Sequence, residues 1–328
     1  MRSHASALAL ILFFVVRCNA TPGCVTEELF DAQPHVPADL SRLLAKAKGG
    51  DPEAQFRIGL AYDVGIGVKR DHSQAADWYR KAANSGHPGA QNNLAGLYSR
   101  GLGVPQSDVE AFRWYMRAAA VGFPPAQNNL GYLYAEGRGV SRNDETAVLW
   151  YRKAANKEYP GAETNLGFMY SVGRGVPRDA AQAMKWYHKA VKKDFALAEL
   201  ELGQMYFHGT GVPRDFSEAI GWFRKAAARG SASAQTQLGF AYSHGLGVKQ
   251  DYAEAEKWYG MAAASSDVAR HNLAVVRARI HGDPGDGSSE VAESPAGSAP
   301  IGAHNQSVLD DGLRSGGFSF LDRKGPHQ

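Results

Sequence analysis

Apolar and aromatic residues return every 36 positions through the middle of the chain, and this period predicts a helical repeat array. Every tryptophan of the protein is followed by an aromatic residue and preceded, three positions earlier, by an alanine. Two glycines separated by one residue and followed by valine keep the same spacing. The six tryptophans are Trp78, Trp114, Trp150, Trp186, Trp222 and Trp258, and the first glycines are Gly65, Gly101, Gly137, Gly173, Gly209 and Gly245.

Each unit contains two segments with helical periodicity. In the first, Ala54, Ile58 and Tyr62 stand four residues apart and therefore share one face of a helix. Pro52 suits the first turn of this helix, and Gly65 ends it because glycine tolerates a left-handed backbone. The second helix follows a residue suited to an N-cap, usually with Gln or Glu three positions later. The predicted N-caps are Asp71, Ser107, Asn143, Asp179, Asp215 and Asp251.

The second helix is predicted to face the core with small and large side chains in alternation. Ala75, Trp78, Tyr79, Ala82 and Ala83 share one face, so that small residues of one helix receive large residues of the next. Stacking of the Trp-Tyr pairs on a base or a sugar is the alternative interpretation. Packing is favoured because the pair recurs unchanged in type, whereas a binding surface would differ from unit to unit.

The array divides the chain into four segments. Residues 1–20 form a predicted signal peptide, and residues 21–50 contain a capping helix that resembles a lone second helix. Six units and a final, more polar capping helix occupy residues 51–280, since an open solenoid needs polar ends. Residues 281–328 are rich in Gly, Ser and Pro, and are predicted to be a disordered tail. The predicted fold is an all-α solenoid of antiparallel helix pairs.

The amino terminus predicts export. Ala5 to Val16 is apolar except for Ser6, and the run is too short for a membrane span of about 20 residues. Small residues before Thr21 suit signal peptidase, so we expect a periplasmic or secreted chain with no membrane span after cleavage. A transmembrane anchor is the alternative. Cleavage before Thr21 would leave Cys24 as the sole cysteine, without a partner for an internal disulfide.

Composition and charge argue against one class of function, nucleic-acid binding. The chain is 44% hydrophobic and 21% charged, which is ordinary for a folded domain. Its net charge of +3 combines +2 over residues 1–20, +5 over residues 21–280 and −4 over residues 281–328. That balance is too mild for a nucleic-acid-binding protein, which needs a dense basic face.

Signals for catalysis and for cofactors are weak. The sequence contains no catalytic serine, zinc-protease, Walker or Cys-x-x-Cys motif, and Ser-x-x-Lys is absent too. The glycine pairs end helices rather than connect a strand to a helix, so they predict turns and not phosphate sites. His208 and His244 occupy equivalent places but lack a third ligand at useful spacing, so no metal or other cofactor is expected. Basic residues such as Lys81 and Arg117 lie in last helical turns, where they complement the helix dipole.

The repeat resembles a known family. The segments Ala90-Gln-Asn-Asn-Leu-Ala-Gly-Leu-Tyr-Ser-Arg-Gly-Leu-Gly-Val and Ala111-Phe-Arg-Trp-Tyr-Met-Arg-Ala-Ala are similar to a Sel1-like repeat, a relative of the tetratricopeptide repeats. The resemblance covers residues 51–280 and points to exported bacterial members. It implies a right-handed superhelix of helix pairs that acts as an adaptor for protein complexes. Function still has to be argued from a site.

Positions that differ between units indicate where recognition occurs. On the first helix, positions 53, 57, 60 and 64 share one face, and three units carry asparagine at the second of these positions. Related tetratricopeptide repeats carry there an asparagine that bonds the backbone of a ligand, and a carboxamide can pair with any peptide bond. The alternative is that these amides bond neighbouring helices. The predicted peptide-binding residues are Asn93, Asn129, Asn165, Arg100, Tyr132, Phe168, Gln237 and Phe240.

The sequence therefore predicts a non-enzymatic exported adaptor that binds a protein or peptide segment on the concave face. Neither nucleic acid nor a small-molecule substrate is expected as a partner. A cell-envelope enzyme, or the regulatory subunit of one acting on β-lactam or peptidoglycan, is the alternative, because acid–base pairs can assemble in three dimensions.

Overall fold

The computed structural model describes residues 38–282 and residue 291, which contain fourteen helices and no strand. A capping helix, α1, spans Ala38–Lys48. The first helices of the six repeats are α2 (Pro52–Val64), α4 (Pro88–Arg100), α6 (Pro124–Glu136), α8 (Pro160–Val172), α10 (Ala196–His208) and α12 (Ala232–His244). The second helices are α3 (His72–Asn84), α5 (Asp108–Ala120), α7 (Asp144–Ala155), α9 (Ala180–Val191), α11 (Phe216–Ala228) and α13 (Tyr252–Ala262). A closing helix, α14, spans Asp267–His281.

Local signals in the sequence fix the ends of these helices. The predicted N-cap residues all accept a hydrogen bond from a backbone N–H of the following turn; Asn143 Oδ1, for example, accepts from Thr146 at 2.8 Å. Gly137 ends α6 in the left-handed conformation, with φ of 68°. Gly139, two residues later, also has positive φ, and a Cβ there would lie 2.2 Å from the carbonyl oxygen of Asp108. The interpretation of the glycine pairs as turns is confirmed, and the second glycine lets the turn approach the preceding repeat.

The core lies between the two helices of each repeat and between neighbouring repeats. The aromatic residue that follows each tryptophan is buried; the Tyr151 ring, for example, packs against Gly131, where a Cβ would lie 2.8 Å from Tyr151 Cδ1. Trp78 and Trp114 are buried as predicted, whereas the other four tryptophans are half-buried at the edge of the core. The packing interpretation of the aromatic pairs therefore holds fully for the second aromatic residue and partly for tryptophan.

The first helices line the inner side of the array. First helices of neighbouring repeats approach each other, as α2 does with α4, α6 with α8, and α12 with α14. First helices are also buried over most of their length, whereas second helices keep an exposed face. Because neighbours lie closer together on the inside of a curve than on its outside, we call the surface of α2, α4, α6, α8, α10 and α12 the inner face.

The two ends of the array are closed. At the amino end, α1 packs on α2 and buries Ala47. At the carboxyl end, α14 packs on α13, and Val291 joins a hydrophobic cluster with Val275 and Val276. Within the part of the chain that the structure describes, no helix is long and apolar enough to cross a membrane. The predicted signal peptide, Cys24 and nearly all of the predicted tail lie outside the described residues.

Candidate functional site

The three predicted asparagines lie at equivalent places on the inner face, but little of their surface is exposed. Asn93 and Asn129 expose 8% of their surface and Asn165 exposes 4%. Each asparagine is followed by leucine and then by a small residue. That small residue lets the second-helix tyrosine pack close to the first helix, as Tyr151 does at Gly131.

The asparagines belong to one hydrogen-bonded chain that crosses three repeats. Asn165 Nδ2 donates to Asn128 Oδ1 at 2.8 Å, and Asn128 Nδ2 lies 3.5 Å from Asn129 Oδ1. Asn129 Nδ2 donates to Asn92 Oδ1 at 3.1 Å, and Asn92 Nδ2 donates to Asn93 Oδ1 at 3.1 Å. Each residue donates to the next in the order Asn165, Asn128, Asn129, Asn92 and Asn93, so the series of bonds has one direction. We call Asn92, Asn93, Asn128, Asn129 and Asn165 the amide chain.

The amide chain ends in a small charged network in the first repeat. Asn93 Nδ2 donates to the Tyr79 hydroxyl at 3.2 Å, and that hydroxyl donates to Asp63 Oδ2 at 3.1 Å. His72 Nδ1 lies 2.9 Å from the other oxygen of Asp63. Burial raises the pKa of Tyr79, and the charge of Asp63 raises it further. The Tyr79 hydroxyl and the Asp63 carboxylate therefore accept the last two hydrogen bonds of the series, which a one-directional series of donors requires.

Sequence reasoning missed half of this arrangement. Asn92, Asn128 and Asp63 were not among the predicted residues, although Asn92 and Asn128 are visible in the sequence as the first members of two Asn-Asn pairs. These residues link one repeat to the next across 37 positions. The alternative interpretation, that the amides bond neighbouring helices, describes these contacts. Peptide binding by the same amides stays a prediction.

A polar partner beside the second-helix tyrosine recurs along the inner face. Asn129 lies beside Tyr115, Glu201 beside Tyr187, and Asn272 beside Tyr259, each close enough to affect the pKa of the tyrosine. Burial raises the pKa of Tyr259 to about 12. In the fifth repeat the second-helix aromatic is Phe223, which has no hydroxyl group, and the next first helix carries Gln237 at the asparagine position.

Glu201 is the one carboxyl group at the asparagine position of the repeats. It exposes 8% of its surface. Burial raises the pKa of Glu201 to about 7, while the neighbouring Tyr187 hydroxyl lowers it. A carboxyl group that holds its proton near neutral pH can donate a hydrogen bond as an amide does, which explains how it fits a place otherwise occupied by Asn or Gln.

The remaining predicted residues are distributed along the inner face. Arg100 is half-buried and its Nε donates to the carbonyl oxygen of Gly96 at 3.2 Å, beside the space left by that glycine. Tyr132 is buried, with the Arg138 guanidinium 5.9 Å from its ring centre, and Phe168 is half-buried. Phe240 and Gln237 lie in the sixth repeat, where Phe240 contacts the ring of His244 at 4.2 Å. The eight predicted residues therefore form a line along four of the six repeats and not a single pocket.

The histidines suspected of binding metal do not form a closed site. His208 and His244 are exposed, and His244 Nδ1 lies 3.0 Å from the carbonyl oxygen of Phe240. Over residues 38–282 no group of three His, Cys, Asp or Glu side chains is arranged to hold a metal ion. The basic residues predicted to complement helix dipoles have a further contact, because Lys81, Lys153, Lys189 and Lys225 each lie about 4 Å from the ring of the tryptophan three residues earlier.

Helix pairs stacked in sequence, with polar side chains aligned along the inner face, define a helical-repeat scaffold. A family model described as Sel1 repeat matches six successive segments, residues 52–87, 88–123, 124–159, 160–195, 196–231 and 232–267. The chain belongs to the Sel1 repeat family. Proteins of this family generally mediate protein–protein interactions through a fold that is generally not catalytic. The resemblance seen in the sequence is thereby confirmed.

Solved structures of Sel1-repeat proteins share this architecture. A protective antigen of uropathogenic Escherichia coli, c5321, is 32% identical with a TM-score of 0.60, over 84% of this chain and 57% of that protein. The chain therefore spans little more than half the length of c5321. A Sel1 repeat protein from Oxalobacter formigenes is 34% identical with a TM-score of 0.63, over 68% of this chain and 89% of that one. No curated protein matches the sequence.

Proposed function

We propose that this protein is an exported, non-enzymatic adaptor that binds an extended segment of a protein partner along the inner face. The observation that carries the proposal is the amide chain, which places five carboxamides in line across neighbouring first helices. An extended peptide presents N–H and C=O groups in alternation, and carboxamides are the side chains that pair with both.

The amide chain leaves hydrogen-bonding capacity for a partner. A carboxamide has two N–H donors and two lone pairs on its oxygen. At Asn93, the bonds to Tyr79 and from Asn92 use one N–H and one lone pair. The internal bonds fix the orientation of each amide, so less conformational entropy is lost when a peptide binds. Half-buried Phe168 on the same face adds an apolar contact surface for side chains of the partner.

Export is part of the proposal because the amino-terminal sequence has the three parts of a signal peptide. Edman sequencing of the protein recovered from its natural host tests this part separately. We expect the recovered chain to begin at Thr21, and a chain that retains residues 1–20 would contradict export by signal-peptidase cleavage.

The experiment for the binding site compares two triple variants of equal size. The first replaces Asn93, Asn129 and Asn165 with Ala. The second replaces Gln91, Gln127 and Gln235 with Ala; these buried amides donate to carbonyl oxygens of the preceding second helix and do not belong to the amide chain. Both variants lose three buried carboxamides, so both lose stability, which far-UV circular dichroism and urea unfolding report.

Binding distinguishes the two variants. A partner captured from extracts of the host with the wild-type protein is identified, purified and titrated against all three proteins. We expect the asparagine variant to bind at least about tenfold more weakly, because three hydrogen bonds of about 1 kcal/mol each are at stake, and the glutamine variant to bind as the wild type does. Equal affinity of the asparagine variant and the wild type would refute the assignment of the site to the amide chain.

A further inference from the structure

Cations accumulate at one end of the second helices in repeats three to five. They lie in the last turn of α7, α9 and α11 and in the connection that follows each helix. The equivalent positions of repeats one, two and six together hold three cations, Arg80, Lys81 and Arg117. We call the nine residues of repeats three to five the basic edge: Arg152, Lys153, Lys157, Lys189, Lys192, Lys193, Arg224, Lys225 and Arg229.

The fold does not require this accumulation. A cation near a helix C-terminus stabilises the helix by interaction with its dipole. That benefit is the same in all six repeats, and repeats one, two and six form the same helix pair with few cations or none at these positions. The excess in repeats three to five therefore calls for a cause other than helix stability.

Most of the basic edge is not neutralised by the protein itself. Lys193 pairs with Glu163 at 2.7 Å, and Arg229 pairs with Glu199 and Asp194. The other seven cations are exposed, and among the residues that the structure describes none of them pairs with a carboxylate. Their contacts are with neutral groups, such as the Tyr170 hydroxyl that accepts from Arg152 at 3.1 Å.

Three of these seven cations lie over the ring of a tryptophan on the same helix. Lys153 Nζ lies 3.9 Å from the centre of the Trp150 ring, Lys189 Nζ lies 4.1 Å from Trp186, and Lys225 Nζ lies 3.8 Å from Trp222. A cation held over an aromatic ring keeps its charge and loses mobility, so a ligand that binds it has less entropy to overcome.

The positive charge of the basic edge affects His188, which lies beside Lys189 on α9. Burial lowers the pKa of His188, and the charges of Lys192 and Lys225 lower it further against the opposing effect of Glu218. The His188 ring contacts the Trp222 ring of the next repeat edge-on at 5.8 Å. The basic edge is therefore a continuous surface across the fourth and fifth repeats.

We propose that the basic edge binds an extended acidic protein segment. The His188 and Trp222 rings bring neighbouring second helices into contact, so cations of successive repeats lie on the order of 10 Å apart, and an extended chain advances about 3.3 Å per residue. A segment with a carboxylate at every third residue therefore matches the cations of successive repeats. This site lies at the ends of the second helices and is independent of peptide binding at the inner face.

Val291, the one described residue beyond Gly282, is buried in a cluster with Val275 and Val276 of α14. Residues 283–293 carry four acids and no Lys or Arg. Residues 294–328 carry three acids and three bases, so they have no net charge.

The test uses the purified full chain and a fluorescent peptide with glutamate at every third position, long enough to span three repeats. A peptide with glutamine in those places is the control ligand. Lys189→Gln with Lys225→Gln removes two of the cations of the basic edge. Lys81→Gln with Arg117→Gln is the matched control, since these cations occupy the same position of the repeat and also lie over tryptophan rings outside the basic edge.

Fluorescence anisotropy at low and at physiological salt gives the outcome. We expect the glutamate peptide alone to bind, about fivefold more weakly to the Lys189/Lys225 variant and less than twofold more weakly to the control pair. A variant in which both lysines become arginine should bind as the wild type does, which separates loss of charge from loss of fold. Absence of binding, or equal weakening by both pairs, would overturn the proposal. The proposal would also be overturned if single-stranded DNA or phosphatidylglycerol vesicles bound in a manner that depends on Lys189 and Lys225 while the peptide did not bind.

Discussion

Single polar residues buried on the inner face have definite energetic consequences. In repeats two to six the asparagine position holds Asn, Gln or Glu, and each of these side chains is almost fully buried. A buried polar group is costly unless it is hydrogen-bonded, and the amide chain provides those bonds in repeats two to four. Glu201 differs from the Asn and Gln residues at this position because its carboxyl group becomes negatively charged when the pH rises.

Glu201 is expected to make the stability of the protein pH-dependent. Its ordinary pKa is 4.5 and its pKa in the folded chain is about 7. Between these values the unfolded chain releases the proton and the folded chain keeps it, so the free energy of unfolding falls as the pH rises. Above about pH 7 the loss is complete and amounts to roughly 3 kcal/mol.

The substitution Glu201→Gln removes this titration. Relative to the wild type, we expect the variant to be equally stable near pH 4 and more stable above pH 7, as measured by urea unfolding at several pH values. Exposed Glu145→Gln is the control and should show no comparable trend. A stability difference for Glu201→Gln that is the same at every pH would contradict a buried, protonated Glu201.

At the scale of elements, the turn inside each repeat is where one repeat meets the previous one. Gly103, Gly139 and Gly175, each the second glycine of a pair, approach the first residue of a second helix in the preceding repeat. Glycine is required at this position for two reasons. The close approach leaves no room for a side chain, and the positive φ is strained for any other residue.

The substitution Gly139→Ala is therefore expected to lower the free energy of unfolding by about 2 kcal/mol or more, because its Cβ would collide with the backbone of Asp108. Gly221→Ala is the matched control: it lies within α11, exposed, with open space around the new Cβ. That control should raise stability by about 0.5 to 1 kcal/mol. Urea unfolding measures both, and a neutral Gly139→Ala would show that the contact between repeats is loose.

The elements were largely predictable from the sequence. The 36-residue period, the caps and the glycine pairs specify helix ends, and these depend on residues close together in the chain. The amide chain was only half predictable, since Asn92 and Asn128 matter through partners 37 residues away. The same limit applies to Trp150 and Trp186, which a helical period places on the core face but which lie at its edge beneath Lys153 and Lys189.

At the scale of the whole molecule, the repeats serve as comparisons for one another. A residue type that recurs in all six repeats, such as the second glycine, reflects the fold. A residue type concentrated in adjacent repeats, such as the asparagines of repeats two to four or the cations of repeats three to five, is free of that requirement and indicates recognition. The two surfaces so identified face in different directions, so we expect one partner segment on the inner face and an acidic segment at the basic edge.

Site-specific photo-crosslinking tests the central claim, that the inner face receives a protein segment, most directly. A photoreactive phenylalanine analogue replaces Phe168, half-buried on the inner face, or Leu149, which is 56% exposed on the second helix α7. We expect irradiation in the natural host to give a crosslinked protein adduct from position 168 and none from position 149. Crosslinking from position 149 alone would contradict the account, because the partner would then lie on the outer side of the solenoid.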